Sequence, residues 1–286
     1  MIRKLGNELE QLIVTKATGE ENTFSGKKFD ASLQRAGATD EQIAEVRRQL
    51  MPMLYDGIPT KKIYKFAYSI LKKISRKTAA KYSLKQGIMK LGPTGFPFEK
   101  FVSELLRAQG YATKIGVFVE GRCIRHEIDV VAEKDGQTYM VECKYHNLHH
   151  NKSSVKVTLY IHARFNDVAT HRIEGQSTET RFHQSWLVTN TRFTQDAIRY
   201  ASCVNLRLIG WDFPRKEGLK DMVDSFALYP ITCLTTLSNS EKQNLLDMKV
   251  VLCKELLHNE TSLRAAGMQE SKTRRVLDEV ERLCSG

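Results

Sequence analysis

Asp129, Glu142 and Lys144 are the residues of this sequence whose types and spacing could do chemistry. They fall in two β-rich runs, Glu127-Ile128-Asp129-Val130-Val131 and Tyr139-Met140-Val141-Glu142-Cys143-Lys144, joined by Glu133-Lys134-Asp135-Gly136-Gln137. Asp-Gly is the favoured pair for a two-residue type I′ hairpin turn. A turn there pairs Lys134 with Gln137. Carried outward, that register sets Asp129 opposite Glu142 and Glu127 opposite Lys144, all on one face because strand side chains alternate. Directly paired Cβ atoms lie about 4.5–5.5 Å apart, which suits two carboxylates sharing one divalent cation. Without a cation, like charges face each other, and Glu142 sits in an apolar run where an unpaired carboxylate costs several kcal/mol. A surface ion pair to Lys144 returns only about 1 kcal/mol. An oxygen-seeking ion, Mg²⁺ or Mn²⁺, held by Asp129 and Glu142 accounts for the arrangement better. Such an ion polarises a phosphodiester and acidifies its bound water, while Lys144 steadies developing negative charge. The bland alternative is a solvent-facing strand edge with incidental acids and one salt bridge, because this spacing often arises by chance.

The surrounding pattern supplies elements to position these residues. A helix over 98–109 is apolar at Phe98, Phe101, Val102, Leu105 and Leu106 and is ended by Gly110. Strands follow at about 112–119, 123–132 and 138–145, then a basic helical stretch at 153–169. A strand at 185–191, a helix at 194–202 and a strand at 206–211 complete an α/β order with a mixed central sheet. Upstream, 11–16 and a run near Phe24 read as strands, and 31–37, 40–51, 60–74 and 78–91 as helices. Thr39 or Asp40 is placed to cap the second of these helices and Thr60 the third. Gly92-Pro93-Thr94-Gly95 breaks the chain. From Tyr229 onward a short segment reads as all-helical, with Leu263-Arg264-Ala265-Ala266-Gly267-Met268 as a tight hairpin. The expected organisation is therefore α/β overall, divided at 1–92, 93–216 and 229–286.

The bulk numbers agree with this division. A chain of 286 residues is long for one domain, and 41% apolar with 27% charged residues is ordinary for a folded protein. No run approaches the roughly 20 apolar residues of a membrane helix, and the start turns polar too early for a secretory signal. Six cysteines are scattered singly, which points to reduced thiols in the cytoplasm. The net charge of +11 points toward a polyanion. Lys61 to Lys90 holds ten basic residues and no acid, and Lys73, Lys77, Lys81 and Lys85 would stack on one helix face, either solvated or phosphate-binding. Lys152, Lys156, His162, Arg164 and Arg172 could meet a nucleic-acid backbone or form an ordinary basic exterior. Cys123, His126, His146, His149 and His150 lack the tight paired spacing of structural zinc sites. Trp186 and Trp211 read as core strand residues.

Residues 95–214 resemble the PD-(D/E)xK nuclease superfamily, and most of all its Mrr-type restriction endonuclease branch. The resemblance rests on Gly95-Phe96-Pro97-Phe98-Glu99, Gly110-Tyr111, His126-Glu127-Ile128-Asp129, Glu142-Cys143-Lys144 and Leu187-Val188-Thr189-Asn190-Thr191-Arg192-Phe193-Thr194 with Ala197. It implies that Asp129 and Glu142 bind the metal, that Lys144 acts near the scissile phosphate, and that Glu99 is an auxiliary acid. An acid in a first helical turn is also favoured by the helix dipole alone. The branch often has Gln at the position of Glu142 and a small residue at that of Glu127, which leaves Glu127 open as a further ligand. Residues 12–92 resemble the ATP-cone, through Val14, Lys16, Gly19, Phe24, Lys28, Ser32-Leu33, Arg35-Ala36-Gly37, Thr60, Ile63 and Tyr82. That resemblance implies phosphate contacts from Lys16, Lys28 and Thr60 to ATP or dATP, with Ala17 standing where the family has a basic residue. The C-terminal segment resembles paired helix-hairpin-helix modules, which hold DNA phosphates on main-chain amides. Together these imply an oligomeric Mg²⁺-dependent DNA endonuclease tuned by a nucleotide, suited to restriction or phage defence. The rival from another class is a nucleotide-responsive DNA-binding regulator with an inactive nuclease fold; an RNA nuclease is a third.

Overall fold

The computed structural model describes residues 12–16, 18–92, 94–173 and 179–285. Gln11, Ala17, Pro93 and Gly286 lie outside the described residues, and for Arg172 only the backbone is described. The chain begins with β1 (Ile13–Thr15), β2 (Glu21–Thr23), α1 (Gly26–Arg35), α2 (Asp40–Leu50) and β3 (Ile58–Pro59). Then come α3 (Thr60–Ile74), α4 (Arg76–Tyr82) and α5 (Leu84–Ile88). β1 sits between an antiparallel β2 and a parallel β3. Val14, Leu33, Val46, Leu50, Ile58 and Leu71 form the core beneath this small sheet.

Three local expectations are corrected. α1 starts before residue 31, because the Ser25 hydroxyl accepts the Lys28 amide and caps the helix there. Thr60 is the first helical residue of α3 and not its cap: Pro59 holds the cap position, with no side-chain bond. The lysine stack does not form. Ser75 turns extended and caps α4 through the Thr78 amide, and a further break at Ser83 starts α5. Lys73, Lys77 with Lys81, and Lys85 therefore lie on three helices, which leaves only Lys77 and Lys81 as an i,i+4 pair on one helix. Lys81 instead lies over the Tyr229 ring at 5.7 Å and Lys85 over Trp211 at 5.6 Å. Trp211 is half-buried, packed against the edge of the main core with Lys85 over its ring. Thr39 does cap α2, with Gln42 completing a capping box.

The central unit runs α6 (Phe96–Ala108), β4 (Ala112–Glu120), β5 (Arg125–Lys134), β6 (Gln137–Lys144), β7 (Lys152–Ser153), α7 (Val155–Val168) and β8 (Thr170–Ile173). β9 (Glu179–Thr189), β10 (Arg192–Phe193), α8 (Gln195–Cys203) and β11 (Arg207–Ile209) follow. The main sheet has the order β11-β9-β6-β5-β4-β8, antiparallel through the meander and parallel from β6 to β11. β8, which the pattern did not announce, adds to the edge of β4 and also pairs with the start of β9. Asp135 and Gly136 take positive φ of 52° and 73°, the two left-handed positions of the type I′ turn. One face of the sheet packs on α6, the other on α7 and α8. Trp186, 1% exposed, anchors the α6 side against Tyr111 at 5.5 Å and Tyr139 at 4.8 Å. Trp186→Ala should cost about 3–5 kcal/mol, read by chemical denaturation.

The chain closes with α9 (Leu219–Phe226), α10 (Asn239–Asp247), α11 (Cys253–Leu257), α12 (Glu260–Ala265) and α13 (Glu270–Cys284). The α12–α13 turn forms at the expected residues, with Gly267 at φ 86° and the Met268 amide bonded to the Leu263 carbonyl. One continuous apolar cluster joins Leu84 and Ile88 of α5, the α6 face of the sheet, and Leu245, Val276 and Val280 of the C-terminal helices. The helical tail is therefore packed into the same core as the sheet. Among the described residues no helix is long and apolar enough to cross a membrane.

Candidate active site

The hairpin register is the expected one from Lys134↔Gln137 up to Val130↔Val141, and there the paired positions end. On the other side of β5, the pairs with β4 pass from Ile115↔Val130 to Val117↔Ile128, leaving Gly116 at φ 62° across from Asp129. That conformation is one only glycine adopts cheaply. It interrupts the pleat. Val130 and Ala132 join the α6-side core, whereas Ile128 joins Val131 on the α7 side, so alternation slips by one residue at Asp129. The expectation of a straight register, with Glu127 opposite Lys144 and four side chains on one face, is corrected for this reason. Asp129 is held across the parted strands instead: its Oδ2 accepts the Cys143 amide at 2.7 Å.

β6 continues past the split because it has a second partner. Glu142 and Lys144 pair with Leu187 and Thr189 of β9, and the Thr189 hydroxyl donates to the Lys144 carbonyl at 2.7 Å. Fully buried Asn190 then staples the next residues, accepting the His146 amide and donating to the His146 carbonyl, both at 2.8 Å. Tyr145 donates its hydroxyl to the Met89 carbonyl at 2.7 Å and accepts the Gly92 amide at 3.0 Å. The end of the chemistry-bearing strand is thus tied to the segment leading out of the N-terminal unit.

Glu142 is 5% exposed. Burial, then the neighbouring Asp129, pushes its carboxyl up to about 8 against the pull of Arg164, with Glu99 adding a smaller push. Glu99, in the first turn of α6, is pushed up to about 7 by burial and then by Asp129 and Glu127. Burial also raises Asp129, while the Cys143 amide, Arg164 and Lys144 pull it back. The fold therefore brings together Asp129, Glu142 and Glu99 in one field. Lys144 is exposed and lines a cleft of about 340 Å³ with Glu142, Lys156 and Tyr160.

The partner missed by sequence reasoning is Arg164 of α7. Its Nη1 donates to Glu142 Oε2 and its Nη2 to the Glu127 carbonyl, while the guanidinium lies over the Tyr160 ring at 5.6 Å. The expectation that Glu142 had only Lys144 available in the absence of metal is thereby corrected. A signal was present: Arg164 follows Ile161 by three residues and precedes Val168 by four, on the buried stripe of α7. Its Nε also reaches His126 Nδ1 at 3.4 Å, and His126 Nε2 meets Asp167 Oδ2 at 2.8 Å.

Glu142 Oε1 is buried with no hydrogen-bond partner. A buried carboxylate oxygen left unsatisfied costs about 1–3 kcal/mol or more, and a cation would satisfy it. Among the described residues no group of three or more His, Cys, Asp or Glu is placed to hold a metal ion. Mg²⁺ keeps several waters and takes one or two carboxylates, so Asp129 and Glu142 suit it without a third protein ligand. Of the Cys and His residues considered above, His126 meets Asp167, His146 meets Ser153 and His149 meets Gln86.

In the N-terminal unit the parallel ladder ends at Thr15↔Pro59, one residue before Lys16 and before Thr60, which starts α3. Lys16 pairs with Glu20 at 3.0 Å, and exposed Lys28 has no described contact that joins its side chain to either.

Residues 92–214 match the restriction endonuclease family, and residues 229–284 match the AF1548-like C-terminal family. An uncharacterised protein from Archaeoglobus fulgidus is 38% identical over 183 residues, spanning 64% of this chain and 99% of that protein. The chain belongs to the AF1548-like family. A crystal structure of a protein of unknown function, AF1548, is 36% identical with a TM-score of 0.54, covering 68% of this chain and all of the other (100%). Can2 from Sulfobacillus thermosulfidooxidans, solved with cyclic tetra-adenylate, is 14% identical with a TM-score of 0.33, covering 72% of this chain and 64% of that chain. The family's central unit in this chain is restriction-endonuclease-like, with a helical C-terminal unit behind it. Both matches begin at residue 92 or later, beyond the N-terminal unit.

Proposed function

We propose that this AF1548-like protein is a Mg²⁺- or Mn²⁺-dependent endonuclease that hydrolyses DNA phosphodiesters. The observation that carries the reading is buried Glu142, one oxygen unpartnered, beside Asp129 and at the rim of the cleft holding Lys144. Asp129 and Glu142 would hold the cation. When bound, it neutralises charge at the scissile phosphate and makes attacking water more acidic. Lys144, exposed at the cleft, steadies charge developing on the phosphate oxygens. Glu99, whose carboxyl is held up to about 7, exchanges a proton near neutral pH beside Asp129. The net charge of +11 and the α12–α13 turn support contact with a DNA backbone.

The N-terminal unit is proposed to be an ATP-cone that binds ATP or dATP through Lys16, Lys28 and Thr60, tunes cleavage and alters oligomeric state, as a restriction or phage-defence role would use. The Tyr145 bonds to Met89 and Gly92 support such coupling, because they join the residue after Lys144 to the exit from that unit.

Purified protein should nick or cut plasmid DNA with Mg²⁺ or Mn²⁺ and not with EDTA. Lys144→Ala should slow cleavage about 10²–10³-fold while DNA affinity and its salt dependence persist. Parallel RNA substrates separate the DNA reading from an RNA nuclease. A second reading, a nucleotide-responsive DNA-binding regulator, is favoured by Arg164 occupying Glu142. Tight DNA binding with no cleavage under any metal or nucleotide would establish that reading in place of the first.

A further inference from the structure

A second cleft, of about 360 Å³, opens between the N-terminal unit and the C-terminal helices. Four lysines line it, Lys61 and Lys65 from α3, Lys90 from the segment after α5 and Lys242 from α10, and no Asp or Glu does. Lys242 is the informative one. It is only 9% exposed, yet it lines the cleft. A buried ammonium is costly unless anions surround it. Burial lowers its pKa most; Cys233 and buried Glu279 pull it back up, while Lys90 adds to the lowering.

The α3 wall that carries Lys61 and Lys65 is also aromatic. Tyr64 and Tyr68 line the cleft, with Tyr64 stacked on Tyr82 at 5.2 Å and near-parallel to Tyr68 at 6.2 Å. The floor is rigid, because the Thr232 hydroxyl donates to the Gly87 carbonyl at 2.7 Å and a Cβ at Gly87 would collide with Cys233 Sγ. A cleft of about 360 Å³ takes one nucleotide and not a duplex.

We infer that this cleft binds a nucleoside phosphate, its phosphates on Lys61, Lys65, Lys90 and Lys242 and its base against Tyr64 and Tyr68. The site is separate from Lys16, Lys28 and Thr60 and does not depend on nuclease activity. Its ligand would touch α3, the segment after α5 and α10 together, clamping the two ends of the chain.

Calorimetry on the full chain with ATP, inorganic tripolyphosphate and a single-stranded oligonucleotide tests this. In a Lys28→Ala background, ATP should still bind with a stoichiometry of one. Adding Lys65→Ala and Lys90→Ala, both at exposed positions, should weaken that binding at least tenfold without moving the ligand-free melting temperature. Tripolyphosphate should bind at least tenfold more weakly than ATP. Loss of all ATP binding in Lys28→Ala alone would overturn the inference and leave the cone reading standing. Unchanged wild-type stoichiometry in Lys28→Ala would instead remove the cone site. Equal affinity in Lys28→Ala and the triple variant, or binding of the oligonucleotide but not of ATP, would also overturn it.

Discussion

Glu142→Gln is expected to lose metal-dependent cleavage by about a thousandfold or more, and at the same time to stabilise the metal-free protein above neutral pH. The first effect follows because the amide cannot serve as an anionic ligand, and a bound cation contributes several kcal/mol at the phosphate, each 1.36 kcal/mol being about tenfold in rate. The second follows from burial. The Glu142 carboxyl is held up to about 8, against an ordinary value of 4.5, so the folded chain binds its proton more tightly than the unfolded chain. Its contribution to stability is therefore complete below about pH 4 and is lost as pH rises through about 8. In EDTA, the melting temperature of the native protein should fall between pH 5 and pH 8.5, and the fall should be smaller in Glu142→Gln. Added Mg²⁺ should offset the fall in the native protein only. A Glu142→Gln variant that cuts DNA at the native rate, or a melting curve that rises over the same pH interval for the native protein alone, would remove Glu142 from the proposed role.

Arg164→Met carries the second large effect. The guanidinium is the only described ion-pair partner of Glu142, and both side chains are nearly buried, 13% and 7% exposed. Above about pH 8, where the Glu142 carboxyl is ionised, removing one member of the buried pair leaves an uncompensated charge, at a cost of about 3–5 kcal/mol. Arg164 also satisfies the Glu127 carbonyl where β5 has parted from β6, so its loss loosens the strand that carries Asp129. Urea unfolding should show the full loss in Arg164→Met and recovery of most of it in Arg164→Met with Glu142→Gln, because no charge is then stranded. Additive losses in the double variant would mean that the pair is not coupled. Mg²⁺ at saturating concentration should rescue Arg164→Met more than it stabilises the native protein, since both cations answer the same carboxylate.

The hairpin shows how far local rules reach. Asp135-Gly136 specifies its own turn, the turn fixes the register to Val130↔Val141, and apolar alternation sets the buried faces. The helix expected over 98–109, which opens two residues earlier at Phe96, and the cap at Thr39, one of two residues offered for it, were likewise legible, since both depend on residues within one turn of each other. The lysine repeat was misleading because charge spacing is silent about the Ser75 and Ser83 breaks. Thr60 was misassigned because the backbone path from β3 starts the helix at Thr60 itself, leaving Pro59, which has no capping side chain, at the cap position.

What the sequence alone determined was the acidic pair, its lysine and the strands that bear them, because turn chemistry and side-chain period act over a few residues. The tertiary structure decided their surroundings. Gly116, thirteen positions from Asp129 in sequence, breaks the pleat beside it, and Arg164, twenty-two positions from Glu142, meets its carboxylate. Such partners are set by how β4 and α7 pack on the sheet, and burial turns ordinary carboxyls into groups held up to about 7 and 8. Desolvation is a property of the assembled core, which no local pattern encodes.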